Sequence, residues 1–72
     1  MRYLELERRK TRESQRAFGR RSGVDASYVC VAERYGFARP VHLQRFADAL
    51  GWPGDPASLL DELPASVQEQ ED

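Results

Sequence analysis

Only three residues, Gly23-Val24-Asp25, separate two short helical patterns in this chain. Glycine adopts the left-handed backbone that ends a helix at little steric cost, and an aspartate side chain accepts from the free N–H groups that begin the next one. Val24 between them is an apolar plug. The spacing predicts two short helices packed across a tight turn, and the rest of the chain must cover the core they start.

Ser14 is a good N-cap, so the helix before the turn is expected over Gln15 to Ser22, with Ala17 and Phe18 on its packed side. The helix after the turn is expected over Ala26 to Arg34. Val29 and Ala32 turn inward with Val24 and Phe18, which leaves Ala26, Ser27, Cys30, Val31 and Arg34 on the outer face and Tyr28 at its edge. Pro40 restarts the pattern, being preorganised for a first helical position. Leu43, Phe46, Ala47 and Leu50 then recur at helical spacing until Gly51. Upstream, Arg2 to Arg12 is rich in helix formers, with Tyr3, Leu4 and Leu6 as its apolar positions. Downstream, Asp55-Pro56 repeats the cap-then-proline signature before a short fifth helix that stops at Pro64. The expected fold is all-α, a domain over residues 1–63 with five short helices, followed by an acidic, disordered tail over 64–72.

At 72 residues the chain is one domain. At that size only about 60% of the unfolded surface is buried, so a partner subunit would help stability. A lone cysteine, Cys30, excludes an internal disulfide and a cysteine-type zinc site. No stretch approaches the roughly 18 apolar residues that cross a membrane, and the first residues lack the apolar core of a signal peptide. The chain reads as cytoplasmic. Its near-zero net charge conceals a division: all eleven bases lie between Arg2 and Arg45, against five acids, whereas Phe46 onward has seven acids and no base. A half with a surplus of six positive charges suits phosphate contacts, and the acidic half is repelled from the same polyanion.

Ser14-Gln15, Gly23-Val24, Tyr28-Val29, Glu33-Arg34 and the run from Phe46 to Gly51 fall in an order and spacing that resembles the phage-repressor and Cro-like helix-turn-helix family, the XRE-type regulators. The resemblance covers about Leu4 to Leu63 and implies a five-helix lambda-repressor-like domain. It further implies that the helix after the turn enters the major groove of duplex DNA while the one before it crosses the backbone. Ala26, Ser27, Cys30 and Val31 would then face bases, and Gln15, Arg16, Tyr28, Arg34 and Arg39 would bind phosphate. Exposed apolar groups at Tyr35, Phe37, Trp52, Leu59 and Leu63 would form a two-fold dimer interface. The implied function is a sequence-preferring transcriptional regulator, a repressor associated with the nucleoid. With no effector domain, it is closer to a Cro-like minimal repressor than to a switchable one.

The chain departs from the family at Glu7 and Glu13, where leucine is usual, and at Tyr35, where glycine is. Leu6 is expected to replace the first leucine, and Gly36 to supply the left-handed residue one position late. The base-facing set is also poor in the Arg, Asn and Gln groups that read base edges most strongly. A second reading therefore stays open: an interaction module, such as an antitoxin or accessory regulator, that kept the fold but binds a protein. Arg8, Arg9, Lys10, Arg12, Arg16, Arg20 and Arg21 are candidates for a phosphate-binding rim under the first reading and a solvated face under the second. Ser14, His42 and Asp48 do not form a hydrolase triad, because the chain offers no nucleophile elbow or oxyanion loop to assemble one. His42 has no companion at metal-ligand spacing, so neither a metal nor a cofactor is expected.

Overall fold

A computed structural model describes residues 1–64, and among these the chain is all-helical. Four α-helices, α1 (Tyr3–Lys10), α2 (Gln15–Ser22), α3 (Ala26–Tyr35) and α4 (Pro40–Leu50), precede a 3-10 helix over Pro56–Leu60. The acidic tail expected over 64–72 lies, from residue 65 onward, outside the described residues.

The helix boundaries follow from local chemistry. Ser14 Oγ accepts from the Ala17 N–H at 3.0 Å to begin α2, and Asp25 Oδ1 accepts from the Ser27 N–H at 2.9 Å to begin α3. Helices α2, α3 and α4 end on Gly23, Gly36 and Gly51, all left-handed, with φ of 79°, 70° and 65°. Gly36 thus takes the place expected of it and lets α3 run on through Tyr35. A side chain there is disfavoured by the positive φ, and its Cβ, 2.5 Å from Arg2 Nε, would also displace the Arg2 guanidinium. Arg2 occupies that space because its Nη1 donates to the Glu33 and Arg34 carbonyls, both at 3.2 Å, putting a cation on the C-terminal end of α3.

The core comprises Leu4, Phe18, Val24, Val29, Ala32, Leu43, Phe46, Ala47 and Leu59. Phe18 and Phe46 meet at its centre with ring centroids 5.7 Å apart. The turn plug Val24 and the inward positions of α3 and α4 lie as the spacing predicts, and so does Phe18 on α2, whereas Ala17, expected on the packed side, is exposed. Helix α1 differs: Leu4, fully buried, is its core residue, and Leu6 is only half-buried.

The expected fifth α-helix is instead a single 3-10 segment. Asp55 caps it through the Ala57 N–H, and the Ser58 hydroxyl turns back to donate to the Asp55 carbonyl at 2.6 Å. After Leu60 the backbone extends and pairs with the N-terminus. Tyr3 N–H donates to the Asp61 carbonyl at 3.1 Å, and Leu63 N–H to the Met1 carbonyl at 2.9 Å. That antiparallel bridge between Arg2 and Glu62 takes up backbone groups that another helical turn would have used.

Asp25 carries a pH-dependent part of this architecture. Its carboxylate is held below the usual range, first by the Ser27 backbone N–H, then by the Ser27 hydroxyl, with a smaller attraction from Arg16. A depressed folded-state value means the cap contributes fully above the unfolded value, about 4, and is lost as pH falls through the folded one. The stability advantage of wild type over Asp25→Asn in urea unfolding should therefore be present at neutral pH and shrink on acidification. A constant difference would show that the carboxylate is not the cap.

Candidate nucleic-acid interface

Helix α3 presents one face to solvent. Ser27 and Arg34 are exposed there, Ala26, Cys30 and Val31 are half-buried, and Tyr28 stands at the edge with its ring 4.7 Å from that of His42. Three depressions border this face. Toward the start of the helix one is lined by Arg16, Arg20, Val24, Asp25 and Ala26. Along one flank a second brings Cys30 and Arg34 together with Gln15 and Arg9. Along the other flank a third joins Tyr28 and Val31 to Phe37, Arg39 and His42. The sequence-predicted base-facing and phosphate-binding residues thus surround one ridge.

The hydrogen of the Ser27 hydroxyl is already committed, donating to Asp25 Oδ1 at 2.8 Å. What Ser27 offers a ligand is therefore an acceptor. Ala26 and Val31 offer methyl groups and Cys30 a free thiol. The ridge as a whole is methyl-rich and acceptor-bearing.

The basic residues divide into two sets. Arg9 pairs with Glu5 at 2.6 Å, Lys10 with Glu7 at 2.9 Å, and Arg21 with Glu13 at 2.8 Å. The Arg21 hydrogen bond is the main cause that holds the Glu13 carboxylate below its usual range, with Thr11 adding to it. Arg45 donates to the Gly23 carbonyl. By contrast, the exposed guanidinium groups of Arg12, Arg20, Arg34 and Arg39 hold no ion pair or hydrogen bond among the described residues. Among the described residues Arg16 has only its through-space attraction to Asp25. The broad rim read from the sequence therefore narrows to Arg12, Arg16 and Arg20, and Arg34 and Arg39 join them as unpaired cations.

Gln15 and Arg8 are held in a way their sequence positions did not announce. Glu33 is a buried carboxylate on α3. Arg8 binds it through two nitrogens, Nε to Oε2 at 2.6 Å and Nη2 to Oε1 at 3.0 Å. Gln15 Nε2 donates to the same Oε1, also at 3.0 Å. Arg8 Nη1 reaches the Glu13 carbonyl at 2.8 Å, so one guanidinium ties α1 to α3 and to the residue leading into α2. Its pKa is raised chiefly by the hydrogen bond to Glu33. Gln15 keeps one amide hydrogen and its carbonyl oxygen for a ligand, on a side chain whose orientation is fixed.

The expected apolar interface does not come together. Leu59 is completely buried and Leu63 nearly so, both in the chain's own core, because the 3-10 segment folds back over α1 and α4. Neither offers surface to a second copy. Trp52 is half-buried against Tyr3, and its Nε1 donates to Ser58 Oγ at 2.9 Å. Only Tyr35 and Phe37 of that set are broadly exposed, at 68% and 67%. Among the described residues no group of three or more His, Cys, Asp or Glu side chains is placed to hold a metal, and no helix is long and apolar enough to cross a membrane.

Compared with known proteins, the chain matches no family model, no curated protein and no solved structure.

Proposed function

We propose that this chain is a sequence-preferring DNA-binding regulator, a repressor of the XRE type, and that α2, the Gly23-Val24-Asp25 turn and α3 work as a helix-turn-helix. One observation carries the reading: the outer face of α3 is bordered at its start by Arg16 and Arg20 and on its two flanks by Arg34 and Arg39, whose guanidinium groups hold no ion pair among the described residues. A helix of that width fits the major groove, and cations at its margins fall where the two phosphate backbones run.

In this reading Arg16, Arg20, Arg34 and Arg39 position the protein, with Gln15 adding a donor at the start of α2. If these four and Arg12 each neutralise one phosphate, the log–log dependence of affinity on salt has a slope of about −4.5 per bound copy. Ala26 and Val31 meet thymine methyl groups. Ser27, whose hydroxyl accepts rather than donates, favours the amino edges of adenine or cytosine over the acceptor edge of guanine. Binding as a dimer would set two α3 helices about 34 Å apart along the duplex, with Tyr35 and the open side of Trp52 left for the two-fold contact.

Selection from a pool of random duplexes tests this directly. A two-fold motif supports the dimeric regulator, a single half-site supports a monomer, and no motif with no salt dependence returns the chain to the protein-binding reading. Two substitutions sharpen the test. Arg34→Ala should weaken binding to every sequence and flatten the salt slope by about one unit, and an unchanged slope removes Arg34 from the phosphate contacts. Val31→Gln should alter the preferred sequence more than the affinity, since glutamine brings the bidentate amide that pairs with adenine. Recovery of the same site with both proteins would place Val31 away from the bases.

A further inference from the structure

The depression between α3 and the start of α4 differs in chemistry from the other two. It is lined by Tyr28, Val31, Phe37, Ala38, Arg39 and His42 and holds about 160 Å³. Pockets that enclose whole small molecules run from roughly 300 to 1,000 Å³, so this one suits a single large side chain. Two of its lining residues are among the exposed large apolar groups of the fold, Tyr28 at 49% and Phe37 at 67%. Apolar groups gathered in an exposed depression mark a surface that a partner covers.

Charge selects among the partners. Among the described residues no acidic side chain lines the cleft. Arg39 is part of its wall, and Arg34, which borders the depression on the opposite flank, lies one helical turn along α3 from Val31. Both guanidinium groups lack a carboxylate partner among the described residues. A second copy seated across this face by two-fold symmetry would bring the two arginine pairs toward each other, a like-charge contact that costs affinity.

We propose that this cleft docks an acidic segment of another protein, which inserts one leucine- or phenylalanine-sized side chain beside Tyr28, Val31 and Phe37 and sets carboxylates against Arg34 and Arg39. An aromatic-walled pocket ringed by charge is the usual form of an energetic centre in a protein interface. Val31, Arg34 and Arg39 also belong to the proposed DNA face, so the segment and a duplex exclude each other. That exclusion rests on the DNA-binding reading; the docking itself does not.

The test is selection of random dodecapeptides displayed on phage against the full chain, followed by anisotropy titration of the most enriched peptide at low ionic strength. The expected winners carry one Leu, Phe, Trp or Met flanked by Asp or Glu. Phe37→Ser should weaken the titrated peptide about tenfold, the scale of a lost anchor contact, and should fold normally because Phe37 is largely in solvent. Arg39→Glu, also exposed, is the independent second variant and should weaken it similarly. An unlabelled duplex should displace the peptide. No enrichment, enrichment of basic or uncharged sequences, or affinity indifferent to both variants overturns the proposal. Peptide docking with no duplex binding leaves the cleft assigned and removes the DNA reading, whereas duplex binding without acidic peptides does the reverse. Simultaneous binding of both overturns the exclusion.

Discussion

Glu33→Ala should cost this chain a large part of its stability, lowering the thermal midpoint by about 12 °C or more. The side chains of Arg8 and Glu33 are 12% and 3% exposed and meet through two hydrogen bonds. Removing one member of such a pair leaves the other charge buried without compensation, a loss of about 3–5 kcal/mol. For a domain of this length the whole stability is on the order of 3–10 kcal/mol, and each kcal/mol moves the midpoint by roughly 4–8 °C. Gln15 adds to the loss, since its amide donates to the same carboxylate. Glu33→Gln keeps an acceptor for one of these donors and should lose less. Replacing Arg8 and Glu33 together with apolar residues of similar volume should recover much of the deficit, because no charge is then stranded. A Glu33→Ala protein that melts within about 4 °C of wild type would mean that Arg8 and Glu33 do not meet in solution.

This carboxylate marks where the sequence was readable and where it was not. Glu33 lies four residues after Val29 and one after Ala32, on the stripe that the helical period turns inward. An acid on a buried stripe requires a basic or hydrogen-bonding partner, but from the sequence Glu33 stands out only as half of the Glu33-Arg34 pair and no buried network is expected. Which residues supply it was not implied, because Arg8 is 25 positions away and reaches Glu33 only when α1 crosses α3. Gln15 illustrates the same limit. Its place at the start of α2 suggested a ligand-facing group, and nothing local announced that half of its amide is spent on Glu33.

The helix limits around the turn were legible because they are set within a few residues. Ser14, Asp25, Pro40 and the glycines at 23, 36 and 51 act on backbone groups close to themselves. The two ends of the domain were not, for the opposite reason. Leu4 rather than Leu6 fills the core, and Leu59 and Leu63 leave the surface, because residues 61–63 pair with residues 1–3 across the whole chain. Of the apolar surface that the sequence assigned to a dimer, Leu59 and Leu63 go to the core, Trp52 packs on Tyr3, and Phe37 lines the cleft beside α3. Arg39 walls the same cleft, so apolar and electrostatic groups meet there.

Gly19→Val should be the second most damaging substitution, and it acts on the geometry of the α3 face. A β-carbon at Gly19 would lie 2.5 Å from the Val24 carbonyl oxygen, 3.2 Å from the Ala26 nitrogen and 3.4 Å from the Ala26 Cα. All three are backbone atoms of the turn and the start of α3, so no side chain can swing aside. Glycine inside a helix costs about 0.5–1 kcal/mol relative to alanine, and here that cost is offset by the close approach of α2 to α3. Alanine would regain the helical preference, but its β-carbon already meets backbone that has to move, so it too should destabilise the fold, less than valine. Valine gains less preference, adds two methyl groups against the same backbone, and should lose about 1–3 kcal/mol or more, read as a lower midpoint in thermal or urea unfolding. A melt indistinguishable from wild type would mean that the two helices stand farther apart than this packing requires. The fraction that stays folded is the more informative one. Its exposed arginines are intact while the angle between α2 and α3 is changed, so under the DNA-binding reading it should keep the salt slope of non-specific binding and lose the discrimination between sequences.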